Sequence, residues 1–318
     1  MAKPVEPTAG GIDVSKDTLV IARRDHASLE EIPNQPRAIK SWLSSLPPRS
    51  RIALEATGIY HRLVAELAHA KGHRVYLLDG FKLNRYRDSI GSRAKTDAED
   101  ARLILRYLIN EEQDLQPWTP PPPWYYRLLG LLNRRAALVQ ARVALSQSLK
   151  GMAELNSLRK RLEAQLRKLE QVIEQRLRQT LKDSGWAPEA RLCQSMTSVG
   201  ELTATLLATL YHRGEFASGD AFIAYLGLDV RIRDSGKQAG RRKLTKKGCP
   251  EARRLLFTAA MTARRYGTWK TLYEGYLARG LKTTEALVIL ARKIARIAFA
   301  LMKRETTFQP KMLEGGCV

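Results

Sequence analysis

Residues 10–24 read GGIDVSKDTLVIARR. Two short apolar runs flank a turn at Ser15-Lys16-Asp17, so the stretch predicts two strands around a turn. Outward from it, LEEIPN (29–34) reads as a third strand. PRAIKSWLSSL (36–46) reads as an amphipathic helix with Ile39, Trp42, Leu43 and Leu46 on one face. RIALEAT (51–57) is a buried strand ending near Glu55, IYHRLVAELAHAKG (59–72) a helix stopped by Gly72, and HRVYLLD (73–79) another strand. A polar stretch follows, and then a helix opening in KTDAEDARLI (95–104). Three strands followed by alternating helices and strands predict an α/β domain with a mixed sheet over residues 8–116.

The chain has 318 residues, 54 lysines and arginines against 32 aspartates and glutamates, and a net charge of +22. That excess calls for a polyanionic partner, either nucleic acid or an anionic membrane surface. Membrane is disfavoured. The most apolar stretch, ALVILARKIARIAFALM (286–302), is broken by Arg292, Lys293 and Arg296, and the N-terminus has no apolar signal core. Cys193, Cys249 and Cys317 are scattered and odd in number, which suggests neither a disulfide framework nor a zinc site and fits a reducing cytoplasm.

QPWTPPPPWYY (116–126) ends the first domain. Its proline run predicts a stiff extended linker over 117–124. Leu155, Leu158, Leu162, Leu166, Leu169, Ile173, Leu177 and Leu181 then recur at steps of three and four, so 125–186 reads as long helices, either an ordinary bundle or a coiled coil. The remainder, 187–310, is mainly helical. TSVGELTATLLATL (197–210) opens a helix on Gly200, and its amides could face a phosphate.

The acids stand out in so basic a chain. Thr96 and Glu99 have capping-box spacing, which predicts that Thr96 caps the helix and Glu99 reaches back. Asp97 and Asp100 share a helix face; acids there suit the helix dipole, yet two like charges so close repel unless a cation lies between them. Asp13 lies inside an apolar strand and Glu55 at the end of another, where a carboxylate is costly unless paired or metal-bound. Oxygen ligands suit Mg²⁺ or Mn²⁺, and two such ions about 4 Å apart can clamp a phosphodiester. Asp, Glu, Asp, Asp on strand, strand and helix resembles the arrangement of RNase H-like nucleases of the RuvC type.

GLDVRIRDSGKQAGRRKLTKKGCPEARRLLFTAA (227–260) carries a turn at Asp234-Ser235-Gly236. Lys237, Arg241, Arg242, Lys243, Lys246, Lys247, Arg253 and Arg254 surround it. A glycine-flexed, cation-rich loop can track a nucleic-acid backbone; it can equally be a solvated basic loop. On its own Ser235 is a turn residue, and no histidine nearby could act as its base.

GIDVSK, ALEATG, KTDAEDA and SGK…G…KLTKKG…ARRLLFTAA, in this order and spacing, resemble the IS110/IS1111 transposases, whose relatives include the Piv DNA invertases. The resemblance implies a RuvC-like domain with an acidic tetrad at Asp13, Glu55, Asp97 and Asp100 holding Mg²⁺ or Mn²⁺. It implies a long-helix, coiled-coil insert and a mainly α transposase domain in which Ser235 attacks DNA to form a covalent 5′-phosphoserine. DNA at the element ends and target, a structured guide RNA, a homodimer or homotetramer and a bacterial cytoplasmic setting are further implications. The chain departs from the family pattern at Asp229-Val230, where proline is usual after GL, and at Thr197–Gly200, where PGIG is usual. Two other readings stay open: a RuvC-like, metal-dependent nuclease that cuts DNA with water, and a non-catalytic nucleic-acid-binding protein. Carboxylates that repel phosphate argue against the latter.

Overall fold

Strand β1 (Ala9–Val14) pairs antiparallel with β2 (Thr18–Arg23), with Ile12 opposite Ile21 and Asp13 opposite Val20. The Ser15 hydroxyl accepts from the Thr18 amide at 2.9 Å and closes the turn. The computed structural model describes residues 7–56, 58–91, 96–231 and 243–313. The chain divides into two units, Met1–Pro120 and Pro121–Val318.

In the first unit, β3 (Glu30–Pro33) pairs antiparallel with β2, while β4 (Arg51–Glu55) and β5 (Arg74–Leu78) extend the sheet in parallel from β1. The order is β3-β2-β1-β4-β5, a mixed sheet as expected. Side chains alternate across the pleat. Ile12, Val14, Leu19 and Ile21 pack under α1 (Pro36–Ser45) and α2 (His61–Ala70), with Ile39, Trp42, Leu43 and Val64. Ala9, Ala53, Tyr76 and Leu78 face the other way. They meet Leu83 of α3 (Gly80–Ser89) and Leu103, Ile104 and Leu108 of α4 (Asp97–Glu111). Helix α3 occupies what the sequence presents as a polar stretch; only Leu83 is buried along it, and Asp79 caps it by accepting from the Lys82 amide at 2.9 Å.

The proline-rich segment does not stand off from this unit at its start. The Trp118 amide donates to the Val75 carbonyl at 2.7 Å, and its ring meets His69 edge-on. Pro123 then begins α5 (Pro123–Ser148), where a missing amide hydrogen costs nothing.

In the second unit α5 packs against α6 (Asn156–Asp183), tied by Arg135 to Glu170 at 2.7 Å and to Glu174 at 2.6 Å. The leucine periodicity splits between two faces. Leu177 and Leu181 are buried with Tyr125, Leu128 and Leu132, whereas Leu158, Leu162 and Leu169 are 63, 45 and 50 % exposed. The pairing observed is thus within the chain.

The bases of these two helices share a core with α7 (Ala187–Gln194), α8 (Glu201–Tyr211), α9 (Gly219–Tyr225), α10 (Pro250–Ala263), α11 (Gly267–Ala278) and α12 (Thr283–Arg304). Helix α12 is its axis, with Leu290, Ile294, Ile297 and Leu301 fully buried, each contributing about 1.5–3 kcal/mol. A two-stranded ribbon, β6 (Val230–Arg231) against β7 (Lys243–Leu244), lies between α9 and α10 in the chain. Among the described residues no helix is long and apolar enough to cross a membrane.

Candidate active site

Ile12 pairs with Leu54 in parallel register, so Asp13 and Glu55 each stand one residue further along neighbouring strands. Both belong to the sheet face that holds Gly11 and Ala53, the face α4 covers. Gly11 makes that cover close. A Cβ there would lie 2.3 Å from the Leu105 amide nitrogen and 2.5 Å from the Ala101 carbonyl oxygen, so only glycine lets the α4 backbone rest on β1. The first turn of α4, with Asp97 and Asp100, is thereby carried to the carboxyl ends of the parallel strands, where α/β sheets place their ligands.

Thr96 caps α4 as predicted, its hydroxyl accepting from the Glu99 amide at 3.2 Å. The Glu99 carboxylate is engaged by Arg102 at 2.7 Å, one turn on. The Glu55 carboxylate lies close over the start of α3: a Cβ on Gly80 would fall 2.3 Å from its Oε1. The four acids share one electrostatic field. Burial pushes the Asp13 carboxyl up to about 6, and the negative charges of Asp100, Asp97 and Glu55 push in the same direction, against an opposing Val14 amide.

Such a donor set suits a hard divalent cation. Among the described residues, however, no three histidine, cysteine or acidic side chains are grouped closely enough to hold one. Asp100 is in ionic contact with the Arg87 guanidinium from the last turn of α3, and the two side chains are 17 and 13 % exposed.

The predicted nucleophile Ser235 and, of the predicted nucleic-acid contacts, Lys237, Arg241 and Arg242 lie outside the described residues. The base of their segment is well defined. Gly227, at φ +71°, and Gly248 cross backbone to backbone; a Cβ on Gly248 would sit 2.4 Å from the Tyr225 carbonyl. Asp229 accepts from the Thr245 hydroxyl, and its carbonyl accepts from the Thr245 amide at 3.0 Å.

Lys243, Lys246 and Lys247 are exposed. Arg253 turns inward, its Nη1 donating to the Gly248 carbonyl at 2.9 Å and the Leu226 carbonyl at 3.4 Å. Arg254 is paired with Glu251 through two bonds at 2.7 and 2.6 Å. At the start of α8, the Glu201 carboxylate takes two bonds from Arg178, at 2.6 and 3.0 Å.

Two transposase family models match the sequence. That of the DEDD transposases of IS110 covers residues 10–157, and that of the IS116/IS110/IS902 family covers 190–274. The chain belongs to the IS110 family of transposases. Among curated proteins, this transposase is 26% identical over 278 residues to the pilin gene-inverting proteins of Moraxella lacunata and Moraxella bovis, with 83% of each chain covered. It is 26% identical over 310 residues to a probable family 20 transposase of Pseudomonas aeruginosa PAO1, covering 86% of this chain and 89% of that one. Among solved structures, Thermus thermophilus RuvC aligns at 13% identity and a TM-score of 0.26, covering 35% of this chain and 99% of RuvC. RuvC in complex with a Holliday junction substrate aligns at 13% and 0.27, covering 36% and 100%.

Sequence reading of the transposase found the acids but missed the residues that place them. Gly11 was visible as a glycine inside a strand, a signal of close backbone approach. Gly80 and Arg87 sit in the polar stretch that hid α3, and nothing local marks them.

Proposed function

We propose that this transposase cuts and rejoins DNA with Ser235 as nucleophile and Asp13, Glu55, Asp97 and Asp100 as ligands of Mg²⁺ or Mn²⁺. The serine oxygen attacks phosphorus and its proton is lost to a base; the P–O3′ bond breaks, and the 3′ oxygen leaves. The resulting phosphoserine keeps the phosphodiester energy for rejoining. A divalent cation held there would polarise the phosphoryl oxygens and offset charge in the transition state. The chain's own residues do the rest. Gly11 seats the helix that bears Asp97 and Asp100, the Gly227–Gly248 crossing and Arg253 hold the base of the serine segment, and exposed Lys243, Lys246 and Lys247 meet phosphates.

The observation that carries the reading is the register that sets Asp13 and Glu55 one residue beyond the Ile12–Leu54 pair on the α4 face of the sheet; there burial, and after it the charges of Asp100, Asp97 and Glu55, raise the Asp13 carboxyl to about 6. DNA is the substrate, the site of action is the bacterial cytoplasm, and a structured guide RNA would be held through phosphates on the same basic surfaces. A homodimer or homotetramer is supported by the exposed row Leu158, Leu162, Leu169 and Val172 on α6. Inversion of a DNA segment is a second reading, favoured by the match to pilin gene-inverting proteins over 83% of the chain.

A nicked suicide substrate tests the mechanism. The wild type leaves a covalent protein–DNA adduct in Mg²⁺, and Ser235→Ala leaves none. Continued cutting by Ser235→Ala overturns the serine mechanism in favour of water. Paired substrates with sites in direct or inverted orientation separate transposition from inversion.

A further inference from the structure

We propose that a cavity between the end of α8 and the last turns of α12 is a binding site for one unpaired nucleobase of a DNA strand, with the phosphate of that nucleotide held at its mouth. The site lies in the second unit. It uses neither the four acids nor Ser235, so it goes beyond the cutting and rejoining reading without depending on it.

The walls are aromatic. Tyr211 ends α8, Phe216 lies in the loop that follows, and Phe299 and Lys303 share a face of α12 one turn apart. With His212 and Glu215 they line a space of about 440 Å³, a size that suits a small planar ligand. The rings hold one another in place. Phe299 meets Tyr211 edge-on at 5.9 Å and stacks on Phe222 at 5.7 Å, and Phe216 meets Phe222 at 5.1 Å. His212 lies face-on to Trp186 at 4.4 Å, with its Nε2 3.2 Å from the Glu189 carboxylate. Burial holds this imidazole below its ordinary value, against the Glu189 charge, so it lines the cavity as a neutral ring.

The mouth is charged. Glu215 and Lys303 are both exposed and make no ion pair among the described residues. The Lys303 ammonium stands 5.7 Å over the Phe299 ring. Apolar walls with one acceptor and one cation at the rim match a nucleotide. Every base has two flat faces to stack and at least one N–H to donate to Glu215, and it arrives with a phosphate for Lys303. A peptide side chain would satisfy the walls and leave Lys303 without an anion. A base inside a duplex is already stacked on both faces, so the cavity selects unpaired DNA. The bland alternative is an unfilled cleft between two helix ends.

Cross-linking tests the site. Full-length protein in chelator is irradiated with a single-stranded DNA oligonucleotide carrying 5-iodouracil, which joins to aromatic rings stacked on it, and the joined peptides are sequenced by mass spectrometry. Adducts are expected on Tyr211, His212 or Phe216, and not when the iodouracil is paired in a duplex. Gly214→Trp plugs the cavity from an exposed position at which an added Cβ meets open space. It should lower the adduct yield about tenfold, with circular dichroism like wild type. Lys303→Ala should reduce the log–log salt slope of single-strand affinity by about 0.7, the share of one phosphate.

Absence of adducts at the cavity, an undiminished yield in folded Gly214→Trp, or an equal yield from paired iodouracil overturns the inference. If Gly214→Trp fails to fold, Lys303→Ala decides: an unchanged adduct yield and salt slope overturn it. Ser235→Ala should give the same adducts as wild type, so failure of the serine mechanism is read separately.

Discussion

Asp13 holds its proton more tightly in the folded chain than in the unfolded one, because burial and three neighbouring acids disfavour its charge. For an acid whose folded value lies above the unfolded one, the stabilising contribution is complete below about pH 4 and is lost as pH rises through about 6. Above that, the ionised quartet works against folding in the absence of a divalent cation. Asp13→Asn is therefore expected to raise the melting temperature of chelator-treated protein at pH 7.5, with the difference closing as the buffer is taken to pH 4.5. Thermal unfolding followed by circular dichroism measures this; an Asp13→Asn protein less stable at pH 7.5 would contradict it. That Asp13 and Glu55 are anomalous was legible, since each is a charge among apolar strand residues. That they stand side by side was not, because strand register is a long-range property which neither strand's own sequence contains.

Among the elements, the α5–α6 pair shows how a periodicity can be read correctly and its partner remain open. Leucines at steps of three and four specify an apolar stripe, but one helix of 28 residues can carry two such stripes on different faces. The inner one reaches α5 through Leu177 and Leu181. The outer one, Leu158, Leu162, Leu169 and Val172, keeps heptad spacing and is exposed, which suits a second copy of the helix. Leu162→Ser combined with Leu169→Ser should lower the assembly state in sedimentation while the melting temperature moves little, since neither side chain is buried. An unchanged sedimentation coefficient would exclude this stripe as the contact. Helix α3 marks the opposite limit: with Leu83 its only buried residue and charged side chains on all sides, it offers no period to detect. It forms because the end of β5 delivers Asp79 as a cap and Leu83 to the core.

Across the whole molecule, each unit has hydrophobic clusters of its own among the described residues. Two clusters flank the sheet in the first, and another runs from Tyr125 to Leu313 in the second. Separate cores imply separate unfolding steps. Calorimetry of the full chain should resolve two transitions. Mn²⁺ should raise only the one that belongs to the first unit, by the linkage of a ligand that binds the folded form. The Asp13→Asn variant should abolish that shift, and a shift of both transitions would argue against a site confined to the first unit. The mixed sheet was legible because its strands are short and bounded by turn residues, and all but the edge strand EEIP are largely apolar. The two-residue ribbon at Val230–Arg231 was not, being too short for any pattern and held by contacts around it.

That ribbon has a practical consequence. Antiparallel pairing sets its two strands about 5 Å apart, and the glycine crossing and Arg253 cinch them below. Arg231 and Lys243, on either side of residues 232–242, are therefore held opposite each other. Grafting the matching stretch from a relative, even one of different length, would leave the helical scaffold undisturbed and make this short segment a natural handle for engineering.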